Sequence, residues 1–300
     1  MRPQVAASGP SIASAFLRAS SGEWAGWQCD FGANGAVRPI ADRYLSQAML
    51  DWGIAPSGFE LLVTETPSET ASLARRFLRV LPEEGCASSD MPAEVSRSTL
   101  SAETLGTRLA GCTALGIFAL DDPPEEHTPR DAWYLRTAFA AAEGEGGNGG
   151  NGGVAARRVR VSLRFDAAKQ CLAARKPLVR VTVERRWAAA GTLDRELRDG
   201  GRGASEQGVW RTGVDASFVA QAVGAQCFAA PAEGGTAAAA SRELELPPGV
   251  GVRVVPRGGD EGCALEVSLR EPGAEAGLLV RRLFGASGAL EATECGAEVF

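Results

Sequence analysis

One short segment constrains the fold more than any other. Residues 158–165 read Arg-Val-Arg-Val-Ser-Leu-Arg-Phe, placing Val159, Val161, Leu163 and Phe165 on one side and Arg158, Arg160, Ser162 and Arg164 on the other. A strict period of two suits a pleated strand and no helix, so this is a half-buried antiparallel strand, and its arginines read as a wet face. Residues 178–187 repeat the pattern with Val179, Val181, Val183 and Trp187, and residues 263–270 with Leu265, Val267 and Leu269. Similar runs at 24–31, 59–65, 73–81, 112–120, 133–139, 242–246, 250–255 and 278–284 bring the expected strands to about eleven, with another after Gly288.

Helical patterning is sparse. The best example, 38–53, has Pro39 near its start, Ile40, Tyr44, Leu45, Ala48 and Met49 at helical spacing, and Gly53 as a stop. It predicts a short amphipathic excursion after the first strand. Many strands and few helices give an all-β protein, and long one-sided strands in series favour a closed antiparallel barrel, which leaves no exposed edge. The Gly/Asn tract 143–153 has no apolar residue to dock it and is expected to be a disordered insertion; 198–205 and 229–241 read as spacers. A cut near Gly150 would give two domains, but the strands on either side are alike. Residues 22–300 are therefore expected to form one elaborated barrel behind an N-terminal segment, 1–21.

Several chemistries lose their usual signals. With 31 Lys+Arg against 37 Asp+Glu, the net charge of -6 lacks the footprint of phosphate-backbone binding, and no nucleic-acid partner is expected. No apolar run is long enough for a transmembrane helix. The 7 cysteines include no CxxC pair, so no metal site is expected and the thiols read as mostly reduced and buried. Gly147 to Gly152 formally spells GxGxxG but lacks the strand, helix and acid of a dinucleotide site. The single histidine, His127, sits in an acidic turn without a nucleophile at motif spacing, and the pairs Glu83-Glu84, Asp121-Asp122 and Glu125-Glu126 read as solvated turns. No catalytic residue is expected.

The N-terminus holds two arginines, many Ser and Ala, and no acid through residue 22, the composition of a transit peptide; Ile12, Phe16 and Leu17 suit a lid helix equally well. The next residues are Gly22-Glu-Trp24. Gly-x-Trp opening the first strand resembles the signature of the lipocalin-like (calycin) barrels, in which the Trp plugs the closed end beneath an Arg of the last strand. Arg281 or Arg282, in Leu278-Leu-Val-Arg-Arg-Leu-Phe284, stands in the matching late position. The stretches 244–250, 265–273 and 279–288, with Ser21-Gly-Glu-Trp-Ala-Gly26, Leu50-Asp-Trp-Gly53 and Leu81-Pro-Glu-Glu-Gly-Cys86, resemble a lipocalin-like domain of unknown function from cyanobacteria and from plant and algal chloroplasts, related to the S/U-type phycobiliprotein lyases.

That resemblance implies a chloroplast protein, stromal or thylakoid-associated, whose barrel holds a small amphipathic or apolar ligand such as a tetrapyrrole, carotenoid or acyl lipid. Trp27, Trp133, Trp187 and Trp210 are candidate lining aromatics. Arg185 shares a face with Val179, Val181, Val183 and Trp187, so it either turns inward, where an acid or an anionic ligand must meet it, or marks a strand end beyond the core. Two alternatives stand beside simple binding. One is a lyase-like chaperone that presents a tetrapyrrole to an acceptor cysteine, although the lyases' pocket groups have no position-by-position match here. The other is an assembly factor for a thylakoid complex, with a packed barrel and with 38–53 and 85–98 as its partner-binding segments.

Overall fold

The computed structural model describes residues 11–32, 35–53, 56–81, 92–124, 132–140, 157–172, 179–187, 242–258, 261–271 and 274–299. The Gly/Asn tract, both spacers, His127 and Trp210 lie outside them. The architecture is all-β and antiparallel, with few and short helices. Helix α1 (Ile12–Ser20) leads into β1 (Gly22–Phe31), followed by a short 3-10 turn, α2 (Gln47–Asp51), β2 (Gly58–Pro67), β3 (Leu73–Val80) and β4 (Pro92–Leu100). Then come α3 (Ala102–Arg108), β5 (Leu109–Cys112), β6 (Ile117–Asp122), β7 (Trp133–Ala140), β8 (Arg157–Asp166), β9 (Cys171–Leu172) and β10 (Val179–Arg186). The C-terminal part supplies β11 (Arg242–Leu246), β12 (Val250–Pro256), β13 (Cys263–Leu269), β14 (Ala276–Phe284) and β15 (Leu290–Val299).

These strands form two sheets. The larger has the order β4-β3-β2-β1-β10-β8-β7-β6-β5, with β9 beside β8, and curls strongly into a half-barrel. The smaller is a five-stranded meander, β11 to β15. The C-terminal strands thus build a second sheet and do not complete the barrel wall. A single apolar cluster joins the two: Trp27, Cys29 and Phe31 of β1, Val159 to Phe165 of β8 and Val179 to Val183 of β10 meet Leu244, Val252, Leu265, Val280 and Phe284. The alternating hydrophobic residues therefore lie on the outer, convex face of the curled sheet, under the second sheet. Their polar neighbours point into the curl, so Arg158 and Arg160 of β8 line its interior where a solvated face was expected.

The helical excursion is shorter than its pattern suggests. Only Asp42–Tyr44 and α2 are helical, because Leu45 is extended and Ser46 starts a new helix, its hydroxyl accepting from the Met49 amide. Residues 92–98, expected as part of a partner-binding loop, belong to β4, which pairs with β3. Helix α1 is capped by Ser11, whose hydroxyl accepts from the Ser14 amide, and packs Phe16 edge-on against Phe118 of β6 at 5.4 Å. It lies across one end of the curl. Gly22 follows with φ of +116°, a backbone conformation that L side chains rarely adopt.

Arg282 joins the two sheets. Its Nε donates to Asp121 Oδ1 at 2.8 Å, Nη1 to Thr137 Oγ1 at 3.0 Å and Nη2 to the Arg136 carbonyl at 3.0 Å, while Thr293 donates to the other Asp121 oxygen at 3.2 Å. The guanidinium is completely buried. A buried charge is tolerated only when its donors and its counter-charge are both matched, and each bond to β6 and β7 here crosses between sheets. Replacing Arg282 with Met strands Asp121 and should cost about 3–5 kcal/mol in urea unfolding. The double change Arg282→Met with Asp121→Leu should recover most of that loss; a single variant as stable as the parent would contradict the role assigned to the pair.

Candidate functional site

The concave face of the curled sheet encloses a cavity of about 340 Å³. Six arginines line it: Arg75 and Arg79 of β3, Arg136 of β7, Arg158 and Arg160 of β8, and Arg180 of β10. Cross-strand register explains the clustering. Glu184 sits opposite Arg158, Thr182 opposite Arg160, and Arg180 opposite Ser162, so alternate residues of β8 and β10 project side by side into the curl. Apolar residues share the lining with them: Leu61 and Val63 of β2, Phe77 between Arg75 and Arg79 on β3, Phe118 and Leu120 of β6, the latter opposite Arg136, and Phe16 of the covering helix.

Arg158 is the most heavily engaged group. Its Nε donates to Glu184 and its Nη1 to both Glu65 and the Ser20 carbonyl, the last at 3.2 Å. Its guanidinium carbon lies 3.9 Å from the centre of the Trp24 ring, within cation–π range. Trp24 in turn donates from Nε1 to the same Ser20 carbonyl at 2.9 Å. One arginine thus ties β8 to β10, to β2, to the first-strand tryptophan and to the last turn of α1. Gly26, beside Glu184 on this face, leaves no room for a Cβ, which would fall 2.8 Å from the Glu184 Cγ and 2.1 Å from the Val183 carbonyl oxygen.

Acids that do not themselves line the cavity pair with the arginines. Glu65 bonds Arg75 and Arg158, Glu184 bonds Arg160 as well as Arg158, and Glu94 bonds Arg79. Asp30 takes Arg180 bidentately at 2.7 and 2.9 Å, and Asp122 takes Arg136 at 2.6 Å. Five carboxylates therefore serve six lining guanidinium groups, and no carboxylate among the described residues lines the cavity itself. Buried N–H groups are left over: Nη2 of Arg158, and Nε of Arg160 and of Arg136, have no acceptor among the described residues. Burial pushes Arg160 down, Glu184 draws it back, and repulsion from Arg75 and Arg158 leaves it at about 10, still cationic at neutral pH. Burial and then the Arg180 charge likewise press Arg79 below its ordinary value.

The residues expected from the sequence fall elsewhere. Trp27 is buried in the cluster between the sheets, and Trp133 packs there too, its ring 5.7 Å from Phe284 and its Nε1 donating to the Gly288 carbonyl. Trp187 lies against Ala25, Leu62, Leu78 and Val80. These three tryptophans occupy the convex side, because the curl turns the opposite strand face inward. Arg185 is exposed at the end of β10, the strand-end alternative. Trp24 does lie beneath a guanidinium near Gly22, but it belongs to Arg158; Arg186 stands farther off, at 6.0 Å. Arg282 faces Asp121 and Arg281 faces Glu266 and Glu294, because β14 belongs to the second sheet. The signal for the actual cluster was present in the alternation of Arg158 and Arg160 along β8.

Glu65 carries the acid-sensitive part of this arrangement. Burial raises its carboxyl, but Arg158, Arg75 and Arg160 outweigh that and hold it at about 2. A carboxyl depressed in the folded state contributes stability that is complete above its unfolded value, near 4.5, and is lost as the pH falls toward 2. Stability measured by urea unfolding should therefore fall between about pH 4.5 and 2, and Glu65→Gln should flatten that slope while lowering stability at pH 7. An unchanged slope in the variant would show that Glu65 is not the group responsible.

No family model matches the chain, and the search of curated proteins returns no match. Among solved structures, the chain is similar to a protein of unknown function from the DUF3598 family of Nostoc punctiforme, with 11% identity, coverage of 97% of this chain and 72% of that one, and a TM-score of 0.34. A likeness that distant carries no argument about function.

Proposed function

We propose that this protein is a non-catalytic carrier that holds one small amphipathic molecule inside its curled sheet. The observation that carries this reading is the cavity in the curl, whose lining combines arginines and hydroxyls with Leu61, Val63, Phe77 and Phe118. A packed scaffold would have filled that space with its own side chains. At about 340 Å³ the cavity lies near the low end of small-molecule sites, which span roughly 300–1,000 Å³. Gln28, Arg79 and Arg180 also border a second pocket of about 310 Å³ beneath Arg38, Arg43 and Tyr44, which extends the polar interior toward the excursion after β1.

The lining narrows the ligand classes. A carotenoid would lay hydrocarbon against guanidinium groups and strip their hydration without replacing it, which disfavours it. A single-chain acyl lipid or a tetrapyrrole with acid side chains has both an apolar body and polar ends. The lipocalin-like kinship and a chloroplast location belong to the same reading and rest on the sequence resemblance.

Dodecanoate serves as a probe in isothermal titration calorimetry, and saturable binding of one molecule per chain is expected. Ala138 lines the cavity between Phe118 and Arg160 in the strand register, so Ala138→Trp should fill the space and abolish binding without altering the far-ultraviolet circular dichroism. A folded Ala138→Trp protein that still binds with parental affinity would place the ligand outside the curl.

A further inference from the structure

We infer that the cavity recognises its ligand by an oxyanion head group, a carboxylate or phosphate seated on the β8–β10 wall, with Arg160 as the principal contact and Arg180, Ser162 and Thr182 around it. This inference rests on the carrier reading and deepens it. Four observations support it.

First, the register sets these groups in a compact plate: Arg160 beside Thr182 and Ser162 beside Arg180 on two neighbouring antiparallel strands, all four lining the cavity. Second, donors are left over. Arg160 spends Nη2 on Glu184, and Nη1 lies 3.6 Å from Glu65, but its Nε has no acceptor among the described residues, and neither does Nη2 of the adjoining Arg158. A buried N–H without an acceptor carries the full cost of its lost hydration, which an acceptor brought within reach of it would remove. Third, the lining is one-signed: the acids that pair with its arginines do not themselves line the cavity, so the charged groups that border the space are cationic among the described residues. Burial first, and then the neighbouring positive charges, displace Arg160 and Arg79 downward. Fourth, the donors are arginines, which stay cationic at neutral pH and bring a charge to any hydrogen bond with an oxyanion, although Glu184 and Asp30 already occupy one edge of Arg160 and of Arg180.

With the head group against β8 and β10, the apolar body would meet Leu61, Val63, Phe77, Phe118 and the covering residue Phe16, among which Arg75 and Arg79 also stand. A hydroxyl in place of the oxyanion would keep the apolar contacts but supply no counter-charge, and a quaternary ammonium would meet repulsion.

The test uses the full chain and four probes that share one twelve-carbon tail: dodecanoate, dodecyl phosphate, dodecanol and dodecyltrimethylammonium. Calorimetric titration should show at least one of the two anions binding about tenfold or more tighter than dodecanol, with no measurable binding of the cation. Whichever anion binds tighter identifies the source, an acyl carboxylate or a phosphate ester. Arg160→Gln, with its fold checked by circular dichroism, should reduce anion affinity about tenfold and leave dodecanol unaffected; the probe series on the parent protein decides the matter even if that variant does not fold. Dodecanol binding as tightly as both anions would overturn the oxyanion site while leaving the carrier reading intact. Failure of all four probes to bind would overturn both.

Discussion

Arg158 is the group on which the interior is organised. Completely enclosed, it has exchanged water for two carboxylates, a main-chain carbonyl and the face of an indole. The Coulomb attraction of Glu65 and Glu184 offsets the desolvation that would otherwise exclude such a side chain, and the benefit is mutual, Arg75 and Arg160 sharing in the neutralisation of the two acids. Because its partners come from the α1–β1 junction, β2 and β10, one side chain links three separated parts of the sequence to its own strand. The covering helix is therefore fastened at its last turn by the network that also sets the charge of the cavity.

The same constraint makes the larger sheet unusual for its class. An antiparallel sheet commonly has one wet face and one dry face. Here the dry face is covered by the C-terminal meander, and the polar face is closed on itself by the curl. Strand β1 shows the result, with buried residues on both sides through Trp24 to Gln28. Apolar packing secures the outside and matched ionic groups secure the inside, so the two faces of one sheet hold together by different physics. Arg282 and Asp121 carry an ionic contact into the apolar layer at a point where β6, β7 and β14 meet.

Much of the fold was legible because side-chain alternation is a local property. The strands expected at 158–165, 178–187 and 263–270 correspond to β8, β10 and β13, and the segment after Gly288 forms β15. Alternation separates two faces but does not say which one a sheet turns inward, since that depends on twist and on what covers each side. For that reason Trp27, Trp133 and Trp187 were expected in the cavity and lie outside it, while Arg158 and Arg160 were expected in water and lie within. The partner of Trp24 was anticipated in kind, a guanidinium over an indole, but not in origin: a long-range contact between β1 and β8 leaves no short-range mark. Glu65 and Glu184 gave no sign of their role either, because each is an ordinary acid near a strand end until the strands are aligned.

The edges of the curled sheet have a consequence for what it can enclose. Strands β4 and β5 end the hydrogen-bonded series, and α3 spans the interval between them. Along that slit no main-chain rung joins the two edges; Leu105 packed against Phe16 and Leu73, and β5 packed against α1 and β15, hold it instead. The wall is therefore a cuff whose clasp is made of side chains while its weave is made of main chain.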